Sequence, residues 1–396
     1  MNRLPFAACL LVYFFHCTVP VYAQADGNAV SLRLEIQRAI DRGVKWLQTQ
    51  QKSETGCFGD PDYPALTALA VSAMMGDPSR EAHSWDQLPS QLRRAYEFIA
   101  STEKEDGGLY GKGLACYNTS LCTMALLNEE SGHFNDNILK ARSFLISLQS
   151  DTGEKGKADE PFDGGVGYGG SSTLPDLSNT HFALEALYYS KELFADTSLD
   201  TSTQPHLNWE AAIKFVERCQ NLSATNDQPW ASDDPDNRGG FLYSPKESKA
   251  GEQKIGEGDG AHVALRSSGG ISYAGLLSFI YAEVDLKDQR VQAVLEWLNK
   301  NFTVEENPGL GQQGLFYYFH TMAKALTLAK VESLQLADGS KVDWREELAK
   351  KLFDMQDSTG SWVNSTGRWW EKEPELVTSF ALLTLEHIHR SLSGEL

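Results

Sequence analysis

The chain has 396 residues, of which 41% are hydrophobic and 22% are charged. This composition is close to that of ordinary globular proteins and excludes a disordered chain, a collagen-like chain and a small disulfide scaffold. Lys and Arg number 35 against 54 Asp and Glu, which gives a formal net charge of −19. The negative charge excludes a nucleic acid partner, which would need a basic surface, and it disfavours docking on anionic lipid.

The first residues have the pattern of a secretory signal peptide. Arg3 supplies a positive charge, Phe6–Phe15 is apolar, and Val21–Ala23 provides small residues for cleavage before Gln24. We therefore expect residues 1–23 to be removed on export and residues 24–396 to form a single domain, with no transmembrane span in the mature chain. The expected location is periplasmic or extracellular. An uncleaved membrane anchor is the alternative.

Four of the six cysteines remain after residue 23. Cys57 and Cys116 lie in Gly-rich loops at matching places, so the oxidising compartment makes them the candidates for a disulfide. Cys122 and Cys219 lie on apolar helical faces and are expected to be small core residues. Because no close CxxC pair occurs, we expect no metal site of four cysteines.

Six times along the chain, an amphipathic helix is followed by a loop with small residues and an aromatic, and then by a second helix that is apolar nearly all round. The repeats start near residues 41, 95, 141, 211, 291 and 348. In chain order, the first helices contain GVKWLQTQQ, AYEFIASTE, ARSFLISLQ, AAIKFVERCQ, VLEWLNKN and LAKKLFDMQ. The second helices contain ALTALAVSAMM, NTSLCTMALL, NTHFALEALYYS, ISYAGLLSFIYA, TMAKALTLA and TSFALLTLEHI.

Helices that are apolar on all sides must be buried on all sides. A single hairpin cannot achieve this, but a closed ring of six hairpins can. The pattern therefore predicts an all-α (α/α)6 toroid, with about twelve helices in two concentric rings. An open superhelix of the same units is the alternative. In the closed ring the Gly-rich loops meet at one end, where the inner-helix N-termini surround a funnel that favours anions or polarised ligands.

The segment Arg42–Phe58, RGVKWLQTQQKSETGCF, is similar to the QW repeat of squalene and oxidosqualene cyclases. Leu352–Trp362 resembles a second copy, and Ala141–Gln149 resembles its first half. The hairpins also resemble those of protein prenyltransferase β subunits. The chain thus looks like a divergent, secreted member of the prenyltransferase/squalene cyclase superfamily, whose squalene-oxidase repeats build the toroid of terpenoid cyclases and prenyltransferases. The resemblance covers nearly all of Asp41–Ile388.

The glutamines and aromatics of this motif have a structural interpretation. A glutamine amide can bind two backbone groups at neighbouring helix ends, while an aromatic ring packs beneath it. We therefore interpret the following four residues as structural clamps rather than as site residues: Gln51, Phe58, Gln356 and Trp362.

The resemblance implies an acid in an Asp-x-Asp-Asp motif if the protein is a class II cyclase. Asp176 matches the first acid, but Ser178 and Asn179 occupy the places of the other two. Neither a hydroxyl nor an amide is acidic enough to protonate an alkene. The usual proton donor is therefore missing.

The resemblance to prenyltransferases implies a zinc site instead. His320 matches the histidine position, but Ser268–Ile271 lacks the acid and the thiolate, so no metal and no cofactor are expected. The remaining catalytic candidates are Asp176, His181, His320 and Glu375, and for Asp176 and Glu375 helix capping is the simpler interpretation. Whether the protein is an enzyme stays open.

Aromatic residues cluster where the loops meet the inner helices. Such a wall either lines a ligand cavity or fills it as core. The candidate ligand-binding residues are Tyr110, Tyr117, Tyr168, Tyr243, Tyr273, Tyr317, Tyr318, Trp369 and Trp370.

Three functions remain compatible with the sequence. The first is a binding or scaffold toroid for an apolar, isoprenoid-like small molecule or for a protein partner, without the usual catalytic acid. The second is a cyclase or prenyltransferase with an unorthodox site. The third is a secreted polysaccharide lyase or hydrolase, for which paired carboxylates across an open groove would be the sign.

Overall fold

The computed structural model describes residues 27–81, 84–170, 172–195, 199, 201–256 and 262–394. The predicted signal peptide, residues 1–23, lies outside these ranges. Within them the chain forms twelve α-helices: α1 Gly27–Gln50, α2 Pro64–Met75, α3 Ser90–Ser101, α4 Ala115–Leu127, α5 Asn135–Ser147, α6 Leu177–Tyr189, α7 Trp209–Arg218, α8 Gly269–Tyr281, α9 Gln289–Lys300, α10 Leu315–Leu328, α11 Trp344–Met355 and α12 Pro374–Ser393.

Three short antiparallel strand pairs lie in the loops of the described chain. They are β1 Gly167–Gly169 with β2 Ser172–Pro175, β3 Glu252–Ile255 with β4 His262–Leu265, and β5 Leu334–Gln335 with β6 Lys341–Val342. The first two pairs lie between an odd-numbered helix and the even-numbered helix that follows. They therefore belong to the same end of the molecule as the Gly-rich loops.

The even-numbered helices form the inner ring. Each packs against the next even-numbered helix, and α12 packs against α2. The last helix also packs against α1, where Arg33 Nη1 donates to Ser393 Oγ at 3.1 Å. The ring is therefore closed, which confirms the predicted all-α toroid of two concentric rings and excludes the open superhelix.

The first helix is longer than predicted. It begins at Gly27 rather than near residue 41, because its additional turns pack along α12, which itself extends to Ser393.

Glutamines clamp the outer helices to each other at the loop end. The Nε2 of Gln356 donates to Gly360 O in its own loop at 2.8 Å and to Ala39 O of α1 at 3.0 Å. The amides of Gln51, Gln149 and Gln220 join their own loops to the following outer helix in the same way. Gln51 and Gln356 thus have the clamping contacts expected from the sequence.

The other two hairpins use charge for the same purpose. Glu103, which follows α3, accepts from Lys140 Nζ of α5 at 2.6 Å. Glu305, in the loop after α9, pairs with Lys351 of α11 at 2.5 Å. Every outer helix is therefore joined to the next at the loop end, although only four of the six joints use glutamine.

A second repeated contact ties each loop to its own inner helix. In five hairpins a hydroxyl in the inner helix accepts from a loop backbone N–H at 2.9 to 3.1 Å. The hydroxyls belong to Thr67, Thr119, Thr180, Ser272 and Thr378. These hydroxyls explain why an apolar inner helix contains Thr or Ser at the same place in five repeats.

The predicted disulfide between Cys57 and Cys116 is not formed: both thiols are free and buried. Cys116 lies inside α4 rather than in a loop, and its Sγ faces Asn179 O of α6 at 3.7 Å. Cys57 lies after α1, with Thr55 Oγ1 at 3.0 Å. The prediction is wrong because the two cysteines do not occupy equivalent places in their hairpins.

In the described part of the chain, none of the helices combines the length and the apolar character needed to cross a lipid bilayer.

Candidate functional site

A cavity of about 250 Å³ opens at the N-terminal ends of the inner helices. All six hairpins contribute to its wall, so it lies on the axis of the ring, where the sequence predicted a funnel. Its wall is predominantly aromatic. The aromatic lining residues are Tyr63, Tyr117, Tyr168, Phe182, Tyr243, Tyr317, Trp369, Trp370 and Phe380.

Six of the nine predicted ligand-binding residues line this cavity: Tyr117, Tyr168, Tyr243, Tyr317, Trp369 and Trp370. Of the other three, Tyr110 lines a neighbouring cavity instead, where its hydroxyl donates to Asp106 Oδ2 at 2.8 Å. Tyr273 and Tyr318 are buried with their ring centroids 5.8 Å apart.

Helical geometry explains the placement of Tyr318. It follows Tyr317 by one residue, which turns its side chain by about 100° away from the axis, and its hydroxyl donates to Thr303 O at 2.7 Å. Tyr273 and Tyr318 are therefore core residues, and their assignment to the lining is corrected.

Phe182 and Phe380 also line the cavity, although neither was predicted from the sequence. Each lies one helical turn beyond another lining residue, Ser178 in α6 and Leu376 in α12. Residues four apart share a helix face. The spacing of four residues from another lining position would therefore have predicted both phenylalanines from the sequence.

Three non-glycine residues on the cavity wall have left-handed backbones: Leu114, Trp369 and Trp370, with φ of 47°, 55° and 68°. This conformation is strained for L-residues, and such strain concentrates at functional sites. The ring of Trp370 lies edge-on to Tyr63, 4.2 Å between centroids. Because Trp369 and Trp370 are 43% and 39% exposed, they form the rim of the cavity.

Asp176 lies just behind the wall. It caps α6, accepting from Asn179 N at 2.9 Å and from Asn179 Nδ2 at 2.7 Å. Burial raises the pKa of Asp176 to about 6, although hydrogen bonds from Asn179 and Tyr243 oppose the shift. The hydroxyl of Tyr243 lies 3.1 Å from that of Tyr168, and both tyrosines line the cavity. Asp176 is thus buried and does not line the cavity, whereas Tyr243, which contacts it, does.

Ser178, which the sequence analysis aligned with the second acid of the Asp-x-Asp-Asp motif, lines the cavity. The next residue, Asn179, is buried, and its side chain is bound to Asp176. The group that faces the cavity at this point is thus a neutral hydroxyl.

The two histidine candidates lie behind the aromatic wall, not on it. The His181 ring lies 4.6 Å from Phe182, and His320 stacks on Phe380 at 5.5 Å. Burial lowers the pKa of His181 to about 3, and the charge of Lys324 adds to the shift. Burial likewise lowers the pKa of His320. Lys324 forms a buried ion pair with Glu185.

Glu375 lies in the first turn of α12 and is not among the residues that line the cavity. None of the four catalytic candidates therefore has its side chain on the cavity wall. Among the described residues, no cluster of three or more His, Cys, Asp or Glu is placed to hold a metal ion.

Polar side chains from other loops and helices cap three of the inner helices at the cavity. Asn118 Oδ1 accepts from Ala65 N of α2, and Asn307 Oδ1 accepts from Gly270 N of α8, both at 3.0 Å. Glu371 accepts from Tyr317 N of α10 at 2.9 Å and from Asn364 Nδ2 at 2.6 Å. Burial raises the pKa of Glu371, and these hydrogen bonds oppose the rise.

No protein-family model matches the chain. The structure is similar to that of the type II terpene cyclase MstE from Scytonema in its apo form, with a TM-score of 0.50 and 11% identity over 91% of this chain and 98% of that one. A variant of MstE with its product, merosterolic acid A, gives a TM-score of 0.50 and 11% identity over 91% and 99%.

A second MstE variant, in complex with its substrate geranylgeranyl dihydroxybenzoate, gives a TM-score of 0.50 and 9% identity over 92% and 99%. At this level of identity the likeness concerns the fold. The chain thus has the helical toroid fold of the type II terpene cyclases.

Proposed function

We propose that this protein binds an apolar, isoprenoid-like ligand in the axial cavity and does not cyclise it. The observation that carries the proposal is the wall of nine aromatic side chains with only two charged residues, Lys249 and Glu371, among those that line it. Burying apolar surface contributes about 25 cal/mol per Å², so such a wall favours a hydrocarbon chain. An apolar pocket with a few polar groups is typical of small-molecule sites.

The size of the cavity favours a short ligand. At about 250 Å³ it is close to the lower end of the range for ligand pockets, which is about 300 Å³. A chain of sesquiterpene length fits this volume better than a triterpene. The MstE structures were solved with a prenylated substrate and a product, so the fold is compatible with such ligands.

The missing acid supports binding without cyclisation. Ser178 lines the cavity where an acid would be needed, and Asp176 is tied to Asn179 as a helix cap. Proton transfer to an alkene requires a strong acid in contact with the substrate. Among the described residues, Glu371 is the one carboxylate on the wall, which provides no support for the paired acids of a polysaccharide hydrolase.

Fluorescence titration with farnesol tests the binding. Wild-type protein should show saturable tryptophan quenching, because Trp369 and Trp370 form the rim. Ser178→Leu places a larger side chain into the cavity and should weaken binding at least about tenfold. Ser101→Leu, at the exposed end of α3, is the matched control and should bind as the wild type does. An unsaturable wild-type signal, or equal affinity in all three proteins, overturns the proposal.

Product analysis tests the absence of cyclisation. Squalene, farnesol and geranylgeraniol incubated with the protein should be recovered unchanged. A cyclised product above a heat-killed control would show that this part of the proposal is wrong.

We also propose that the protein acts after export, in the periplasm or outside the cell. Support comes from the signal pattern in residues 1–23. Expression of the whole chain with a C-terminal tag should yield exported protein whose N-terminus, read by mass spectrometry, is Gln24. Intact protein retained in the cytoplasm would refute this location.

A further inference from the structure

One positively charged side chain lies among the described residues of the cavity wall, and its position bears on the kind of ligand that the cavity can bind. Among the described lining residues, Lys249 carries the only positive charge. Its Nζ lies 4.2 Å from the centroid of the Tyr243 ring, and its side chain is 24% exposed. The ammonium group therefore lies at the wall, between the aromatic cavity and solvent.

The ion-pair partner of Lys249 can be exchanged. Lys249 Nζ lies 2.5 Å from Glu247 Oε1, but Glu247 is 51% exposed and does not line the cavity. An ion pair so open to solvent contributes little to stability. An anionic group on a ligand could replace Glu247 at low cost.

The carboxylates near the cavity already accept hydrogen bonds from the protein. Glu371 accepts from the backbone at the start of α10 and from Asn364, and Asp176 accepts from Asn179 at the start of α6. Both are helix caps, so backbone amides already compensate their charge. The N-terminal ends of all six inner helices also face this end of the ring, and their dipoles favour negative charge.

We propose that the ligand is an amphiphile with an anionic head, a carboxylate or a phosphate monoester, which Lys249 binds while the isoprenoid chain occupies the aromatic cavity. This inference rests on the proposed binding function and makes it more specific. The inference predicts that the cavity prefers an isoprenoid acid or phosphate to an isoprenoid alcohol or hydrocarbon, because only the first two carry a negative charge that can pair with Lys249.

Three probes share the farnesyl chain and differ only in the head group, so they distinguish the contribution of the head group to binding from that of the chain. They are farnesol, farnesoic acid and farnesyl phosphate. Their dissociation constants are measured by calorimetry at pH 7.5. With wild-type protein at least one of the two anions should bind about tenfold more tightly than farnesol, because a charge-assisted contact adds to the same apolar burial. The ratio between the two anions identifies which head is preferred.

Two variants should change anion binding in opposite directions. Lys249→Gln should remove the anion advantage of about tenfold, whereas Glu247→Gln, which frees Lys249, should strengthen anion binding several-fold. Glu247→Gln, at a residue outside the cavity lining, should change farnesol binding by no more than about twofold, and Lys249→Gln should weaken farnesol binding far less than it weakens anion binding. Lys246→Gln is the matched control, because the Lys246 ammonium lies over Phe162, outside the cavity lining, and it should affect none of the probes.

Each outcome has a defined meaning. Equal binding of farnesol and both anions by the wild type overturns the head-group inference and leaves the binding function standing. An equal loss for all three probes in Lys249→Gln also overturns it, because it shows that Lys249 only packs on Tyr243. Failure of all three probes to bind the wild type overturns both proposals.

Discussion

At the scale of single residues, the rim of the cavity depends on side chains that cap helices of other hairpins. Glu371 is the strongest case: it is buried and accepts hydrogen bonds from Tyr317 N at the start of α10 and from Asn364 Nδ2. A carboxylate at that place both satisfies free amides and interacts favourably with the positive end of α10. It therefore holds Tyr317 in position on the cavity wall.

Removing this cap should destabilise the protein. Glu371→Ala leaves buried amides without an acceptor, so the free energy of unfolding should fall by about 2 to 3 kcal/mol. Urea denaturation measures the change. The control is Glu373→Ala, which removes an exposed carboxylate with no capping hydrogen bond and should change stability by less than about 0.5 kcal/mol. Similar losses in both variants would contradict the capping role.

The buried histidines make stability depend on pH. The pKa of His181 is lowered to about 3 in the folded protein, whereas an unfolded histidine has a pKa of about 6.5. Below pH 6.5 the unfolded chain therefore binds a proton that the folded chain does not, and stability falls as the pH falls. His320 and His387, also lowered, act in the same direction. Asp176, whose pKa is raised to about 6, opposes them, because its folded form binds a proton first.

A single variant isolates the contribution of His181. Between pH 6.5 and 5.5 the wild type should lose about 1 kcal/mol more stability than His181→Gln does, as measured by urea denaturation at each pH. Thr203→Gln, at an exposed position without a titratable group, is the control and should follow the wild-type pH profile. Parallel profiles for the wild type and His181→Gln would mean that the pKa of His181 is not lowered in the folded protein.

At the scale of elements, glycine sets how closely five of the six loops approach the next outer helix. A Cβ on Gly239 would lie 2.0 Å from Ala293 O of α9, and one on Gly164 would lie 1.9 Å from Ala211 O of α7. Gly239 also has a φ of +91°, which L-residues rarely adopt. The loop therefore lies directly against the neighbouring backbone, where no side chain fits.

Two glycine variants separate close approach from backbone conformation. Gly251 has a φ of +84° but open space around its Cβ position. Gly251→Ala should cost about 1 to 2 kcal/mol from the left-handed backbone alone. Gly239→Ala adds the clash with Ala293 O and should cost at least about 3 kcal/mol in urea denaturation. Equal costs would mean that the loop moves away from α9 freely.

At the scale of the whole molecule, closure of the ring couples its first and last helices. A Cβ on Gly43 of α1 would lie only 2.7 Å from Cδ2 of Leu382, which is buried in α12. In an open array each hairpin touches only its neighbours, and the ends unfold first. In a closed ring there are no ends.

A mutation at the closing contact should therefore act on the whole ring. Leu382→Ala creates a cavity and should lower the free energy of unfolding by about 2 to 5 kcal/mol. Circular dichroism and tryptophan fluorescence should still report one shared transition. Leu286→Ala, at a 41% exposed leucine, is the control with little effect. Separate transitions in Leu382→Ala would show that the hairpins unfold independently.

The sequence by itself determined the number, order and type of the helices. Apolar periodicity and small-residue loops recur in every repeat. A helix that is apolar on all sides must be buried on all sides, which places it in the inner ring. The same reasoning predicted the closed ring, the glutamine clamps at Gln51 and Gln356, and the end of the ring where the cavity lies. These are consequences of local pattern and of burial, which a sequence carries directly.

Only the tertiary structure decided which side chains face the axis and which groups meet there. Tyr317 lines the cavity and Tyr318 does not, because one residue of rotation separates them. Glu371 and Lys249 come from loops whose paths no periodicity predicts, and Cys116 belongs to a helix rather than to a loop. The contacts of these residues join parts of the chain far apart in sequence, so their positions follow from the packing of the closed ring rather than from any local pattern.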